Sequence, residues 1–155
     1  MTLHELLALF TSKNIEYTTA HLDAVDQNAQ LTDVASDSRE VTPGSLFVCK
    51  GAHFSPAYLI SAVEAGAVAY LCQQSLAEEL QAVAQNVAAI CVDDVRLAMA
   101  YAAAGVAGHP DKKLTTIGIT GTKGKSTCSY MLRAILDGDE PYSKCGVIGG
   151  IEVFD

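Results

Sequence analysis

The sequence predicts an α/β fold in two parts, and three observations carry that prediction. Short apolar runs that read as buried strands alternate with segments of helical period, an order that favours a largely parallel sheet in each part. A cluster of backbone-breaking residues, Gly108-His109-Pro110-Asp111, interrupts the alternation. Beyond it a new strand, a glycine-containing loop and a helix begin, so residues 1–110 are expected to form one domain and residues 111–155 the opening of a second.

The elements follow from local chemistry. Thr2 and Glu5 have the spacing of a capping box, and Leu3, Leu6, Leu7 and Phe10 then share one helical face, which predicts an amphipathic first helix. After a polar stretch, the Pro43-Gly44 turn introduces a short buried strand at Leu46-Phe47-Val48-Cys49. Ser55-Pro56 reads as an N-cap with proline at the first helical position, and Gly66 as the stop. The pattern repeats with a strand at Ala67 to Cys72, a helix opened by Ser75 and Glu78, and a strand at Val87 to Val92. Asp93 to Ala107 is an alanine-rich helix, its alanines at 102–104 reflecting helix propensity and close packing.

Composition narrows the function. Half of the 155 residues are hydrophobic and 18% are charged, enough apolar surface for a packed core. A net charge of -8 provides no basic face, so nucleic acid is not an expected partner and any phosphate must be held locally. Cys49, Cys72, Cys91, Cys128 and Cys145 are odd in number and form no C-x-x-C pair, which argues against a disulfide framework or a zinc site and for thiols in packed surroundings. Cys128 in particular is expected on a helix packing surface. The amino terminus lacks the features of a signal peptide, and no apolar run approaches the ~20 residues that span a bilayer, so a cytoplasmic setting without membrane insertion is expected.

The sharpest signal lies after the breaker cluster. Leu114 to Ile119 is an apolar, β-branched strand candidate, Thr120 to Gly124 a loop, and Lys125 to Leu136 a helix, the setting that a phosphate-binding loop requires. Gly121 and Gly124 let the main chain turn its N–H groups toward an anion, and the helix adds its positive dipole end. Lys125 is the candidate catalytic cation for the β- and γ-phosphates, and Ser126 the candidate ligand for a magnesium ion held through ATP. The strict G-x-x-x-x-G-K-S/T pattern is not met, because Ile119 stands five residues before Gly124 and Gly118 comes one place too early.

The run Gly121-Thr122-Lys123-Gly124-Lys125-Ser126-Thr127 resembles the T-G-T-x-G-K-S/T loop shared by Mur ligases and folylpolyglutamate synthases, which also lacks the first glycine. That resemblance implies ATP and Mg2+ binding by residues 121–127. Lys123 stands at the loop's variable position and reads either as a solvated lysine or as a further phosphate contact.

Upstream, Asp37-Ser38-Arg39, the stretch from Val41 to Val48, Lys50-Gly51 and a helix ending in Ala65-Gly66-Ala67 resemble the amino-terminal domain of Mur ligases that bind UDP-N-acetylmuramoyl peptides. Two motif sets in this order are more specific than either alone. The resemblance implies a substrate domain followed by the first strand-loop-helix-strand of a P-loop-type central domain. Ser38 would contact the nucleotide sugar, and Ala52, His53 and Phe54 would lie over the uridine diphosphate, although this segment departs from that of some relatives. Asp37 and Arg39 read either as a brace of the turn or as ligand contacts.

The combination is closest to the ligases that add the third peptide residue, the lysine-adding type in particular. It implies a monomeric enzyme of peptidoglycan precursor synthesis, and so of cell shape and division. Such an enzyme joins an amino acid to UDP-N-acetylmuramoyl-L-alanyl-D-glutamate through an acyl phosphate made from ATP. The sequence reaches Gly149-Gly150, read as a simple turn, before the family's remaining magnesium ligands and carboxy-terminal domain, so the chain is read as a fragment with little ligase activity of its own. Another Mur-type or folylpolyglutamate-type ligase, or a non-catalytic nucleotide-sugar-binding module, are the alternative readings.

Overall fold

The central strands of the first part are apolar on both faces, which forces helices onto both sides of their sheet. In the computed structural model, which describes residues 1–139, 145–149 and 153–154, this produces a five-stranded sheet in the order β1-β5-β4-β3-β2. β2 (Val34–Ala35), β3 (Leu46–Val48), β4 (Ala69–Gln73) and β5 (Ala88–Val92) are parallel. β1 (Tyr17–Ala20) is antiparallel to β5, pairing Tyr17 with Val92 and Thr18 with Cys91.

Alternation along the central strands divides the core in two. Phe47, Cys49, Tyr70, Cys72, Ala89 and Cys91 face one cluster with Leu59, Ala62, Ala77 and Leu80 of α2 (Pro56–Glu64) and α3 (Ala77–Val83). Leu46, Val48, Ala69, Leu71, Ala88, Ile90 and Val92 face the other, with Leu3, Leu6 and Phe10 of α1 (Leu3–Ser12) and Val95, Ala98 and Ala102 of α4 (Val95–Val106). The first unit is thus a three-layer sandwich.

The helix ends show why the chain turns where it does. Thr2 Oγ1 accepts from the Glu5 N–H at 3.1 Å while the Glu5 carboxylate accepts from the Thr2 N–H at 2.8 Å, a complete capping box. Ser55 caps α2 with Pro56 at its first position, and Asp94 Oδ1 caps α4 by accepting from the N–H groups of Arg96 and Leu97, both at 3.0 Å. Gly66 ends α2 at φ +104°, where a Cβ would stand 2.9 Å from Pro43 Cα, so both backbone conformation and the close approach require glycine.

Four expectations differ from the structure. Ser75 does not cap a helix: Gln74–Leu76 form a 3₁₀ turn and α3 starts at Ala77 behind Leu76, so the serine lies inside the turn before the helix. Leu114 to Ile119 has no strand assignment, because no described segment offers it a ladder. The described strands of the second part, β6 (Val147–Ile148) and β7 (Val153–Phe154), are antiparallel rather than parallel. Cys128 is exposed rather than packed, on α5 (Lys125–Asp137), whose described buried residues are Arg133 and Asp137. Of the expected turn at Gly149-Gly150, Gly150 lies outside the described residues.

The chain divides into two compact units, Met1–Leu114 and Thr115–Asp155. Among the described residues no helix is long and apolar enough to cross a membrane. Phe10 is fully buried and meets Tyr17 edge to face at 6.2 Å, so it joins α1 to the sheet's edge strand. Phe10→Ala is expected to destabilise the first unit by about 3 to 5 kcal/mol, whereas Val83→Ala, at a 46% exposed position, should cost under about 1 kcal/mol; urea unfolding of both variants checks the contrast.

Candidate functional site

In an open parallel sheet, ligands bind beyond the carboxyl ends of the strands, where loops supply polar groups that the buried strands cannot. β2 and β3 are neighbouring parallel strands, with Ala35 opposite Phe47, so the chain leaves both at the same edge. The loop after β2 carries Ser38, and the loop after β3 carries Ala52, His53 and Phe54. The sheet thus brings the two predicted nucleotide-sugar segments to one edge, although they are separated in sequence.

The first loop is a turn built by Asp37. Its Oδ1 accepts from the Arg39 N–H at 3.0 Å and its carbonyl oxygen accepts from the Glu40 N–H at 3.1 Å. The Arg39 guanidinium folds back on the same carboxylate, with Nε donating at 2.9 and 3.1 Å and Nη2 forming a further short contact. Asp37 and Arg39 therefore brace the turn, and Ser38, half-buried, is carried on it between them. The side-chain hydrogen bonds from Arg39 hold the Asp37 carboxyl down at about 2.

The second loop turns at Gly51, whose carbonyl oxygen accepts from the Phe54 N–H at 3.2 Å. Phe54 is half-buried against the core and packs edge to face on Tyr58 of α2 at 6.4 Å. His53 and Ala52 are exposed. Phe54 is thus an anchor that fixes the loop, while Ala52 and His53 present its outer surface.

The phosphate-loop residues lie in the second unit. Gly124 precedes α5 with φ +76° and ψ 0°, a left-handed conformation that glycine adopts without strain, and it provides no side-chain cap. The first hydrogen bond of the helix runs from the Cys128 N–H to the Gly124 carbonyl at 2.9 Å, which leaves the N–H groups before it to an outside acceptor. Lys125 Nζ donates to the Gly121 carbonyl at 2.6 Å, so the ammonium lies back over the loop. Gly121, Thr122, Lys123, Gly124, Lys125 and Thr127 are exposed and Ser126 is half-buried. A glycine turn, a 13-residue helix start and a cation converge here, an arrangement suited to an anion.

A cleft of about 700 Å³ that the sequence did not signal opens beside β1 and the end of β5, lined by Thr11, Asn14, Glu16, Thr18, Gln74, Cys91 and Asp93 among others. Its residues come from four segments with no common motif, and none is a predicted site residue. Because its lining carries no paired charge or phosphate-binding turn, the chemistry favours the two motif-bearing regions over this cleft.

The Asp37 pKa is depressed, so the ion pair supports the turn above the ordinary carboxylate range and is lost as pH falls through about 2. In an NMR titration the Asp37 side-chain carboxyl is expected to titrate near 2, and Arg39→Gln should return it toward the ordinary value of about 4. An unchanged midpoint in the variant would remove the brace.

No family model matches the chain. It is 41% identical over 111 residues to the UDP-N-acetylmuramyl-tripeptide synthetase of Latilactobacillus sakei subsp. sakei, covering 72% of this chain and 20% of that protein. It is 38% identical over 132 residues to the UDP-N-acetylmuramoyl-L-alanyl-D-glutamate--2,6-diaminopimelate ligase of Streptomyces coelicolor, covering 84% of this chain and 25% of that protein. A crystal structure of MurF from Acinetobacter baumannii superposes with a TM-score of 0.61 at 23% identity, over 85% of this chain and 27% of that one, a likeness of fold. The chain therefore spans about a fifth to a quarter of the length of these sequence relatives, and over that span the comparisons support a likeness to Mur ligases.

Proposed function

We propose that the chain is the front part of an ATP-dependent amide-bond-forming ligase of peptidoglycan precursor synthesis, acting in the cytoplasm on UDP-N-acetylmuramoyl-L-alanyl-D-glutamate. Within that reading residues 1–110 form the substrate domain and residues 111–155 open the ATP-binding domain. The amino acid added is the third of the peptide, with L-lysine favoured. The observation that carries the reading is the emergence of the Ser38 turn and the Gly51 to Phe54 loop from neighbouring parallel strands at one sheet edge.

Ser38 Oγ both donates and accepts, which suits a uridine or diphosphate group, and the Asp37–Arg39 brace keeps it from spending that capacity on a moving loop. His53 and Ala52 cover the same ligand from the neighbouring loop, positioned by Phe54. In the second unit, the amides of Gly121 to Thr127 and the Lys125 ammonium hold the ATP phosphates, and Ser126 is the residue here that would hold Mg2+ through them. The fit rests on the uncapped start of α5 and the cation over the loop. ATP supplies the phosphoryl group that activates the substrate carboxylate toward the incoming amine. The chain's residues orient the phosphates and neutralise their charge.

Calorimetry with UDP-N-acetylmuramoyl-L-alanyl-D-glutamate tests the substrate site. Ser38→Ala should weaken binding by about 1 to 3 kcal/mol, and unchanged affinity would remove Ser38 from the site. In the complete ligase carrying this chain, Lys125→Ala should depress turnover by orders of magnitude while altering stability by no more than about 0.5 kcal/mol. Wild-type ADP release in that variant would refute the phosphate role. Comparing L-lysine with 2,6-diaminopimelate as acceptor in the same assay decides the amino acid.

A further inference from the structure

Three buried thiols, Cys49, Cys72 and Cys91, lie on one face of the sheet, and the nucleotide reading uses none of them. Cys72 on β4 and Cys91 on β5 are direct register partners on adjacent parallel strands. Neighbouring strands run about 4.8 Å apart, inside the ~4.4 to 6.8 Å between Cα atoms that a disulfide spans. Both side chains point to the same side, and their sulfurs are 3.5 Å apart. Both thiols are fully buried, and Cys91 borders the cleft beside β1, from which a small peroxide would have to enter.

We infer that Cys72 and Cys91 form an oxidisable dithiol, converted by a hydroperoxide into a disulfide that ties β4 to β5. Cys91 is the sulfur that reacts first. It accepts hydrogen bonds from the Cys72 thiol and, at 3.6 Å, from Gln81 Nε2. These, the Cys72 bond foremost, favour its thiolate against the opposing effect of burial, whereas donation to Cys91 and burial push the Cys72 thiol up.

The Cys91 thiolate attacks one peroxide oxygen. An S–O bond forms, the O–O bond breaks, and the leaving oxygen takes a proton to become an alcohol or water, so the peroxide is reduced and Cys91 becomes a sulfenic acid. The Cys72 sulfur then attacks the Cys91 sulfur: the S–S bond forms, the S–O bond breaks, and hydroxide leaves as water with the Cys72 proton. Overall, two thiols and one hydroperoxide give one disulfide, one alcohol or water and one further water.

The test treats the folded chain with hydrogen peroxide, alkylates remaining thiols under denaturing conditions, cleaves after glutamate, lysine and arginine and maps the peptides by mass spectrometry. Cleavage at Glu78, Glu79 and Arg96 puts Cys72 and Cys91 in different peptides and both apart from Cys128, so their linkage joins two peptides into a species two hydrogens lighter than their sum. That species is expected in the wild type and absent without peroxide. In Cys72→Ala, dimedone should instead trap Cys91 as its sulfenic adduct. Exposed Cys128 is the internal measure of oxidant dose. If Cys128 is oxidised while Cys72 and Cys91 remain fully alkylated, or if Cys72 links to Cys49 instead, the inference fails; the wild-type map decides this without reference to any variant's folding.

Discussion

Everything in the first unit depends on a largely parallel sheet whose central strands have no wet face. In β3, β4 and β5 successive residues feed opposite cores, Leu46 and Phe47, Ala69 and Tyr70, Ala88 and Ala89, so neither side can be left to water. Parallel strands also require crossovers, and those from β3 to β4 and from β4 to β5 are the helices α2 and α3, both resting on the same face. α1 and α4 close the other face. Once the layers are filled, polar chemistry is confined to the ends of the strands. The candidate substrate loops lie there for that reason.

That confinement matters in a chain whose net charge is -8. Long-range attraction does not bring anionic nucleotides to such a surface, so each anion must meet donors that are already aimed. Both proposed regions have that character. One is a turn whose carboxylate is neutralised by its own arginine, leaving Ser38 on a fixed support. The other begins a helix at a glycine that adds no side chain of its own, with Lys125 held over the loop by the Gly121 carbonyl.

Much of this was legible in the sequence wherever one residue type has one dominant local use. Thr2 with Glu5, Ser55 with Pro56, and Gly66 mark helix ends because few other residues satisfy those backbone groups. The apolar runs of β3, β4 and β5 announced themselves by length and branching. β1 and β2 did not: Tyr17-Thr18-Thr19-Ala20 is a polar edge strand, and Val34–Ala35 is two residues long, too short for a period. Leu114 to Ile119 shows the opposite failure, since strand composition without a ladder partner makes no strand. For the site, Asp37-Ser38-Arg39 was visible as a motif, but its division into two bracing residues and one carried serine needed coordinates. The thiol pair was invisible because strand register, not spacing, brings Cys72 to Cys91.

The central claim is that the loops following β2 and β3 form one nucleotide-sugar site. Hydrogen exchange followed by mass spectrometry, on the chain with and without UDP-N-acetylmuramoyl-L-alanyl-D-glutamate, tests it most directly. The account predicts slowed exchange at residues 36–40 and 51–54 together, at matching ligand concentrations. Unchanged exchange in both segments at saturating ligand, or protection confined to the cleft beside β1, would contradict it.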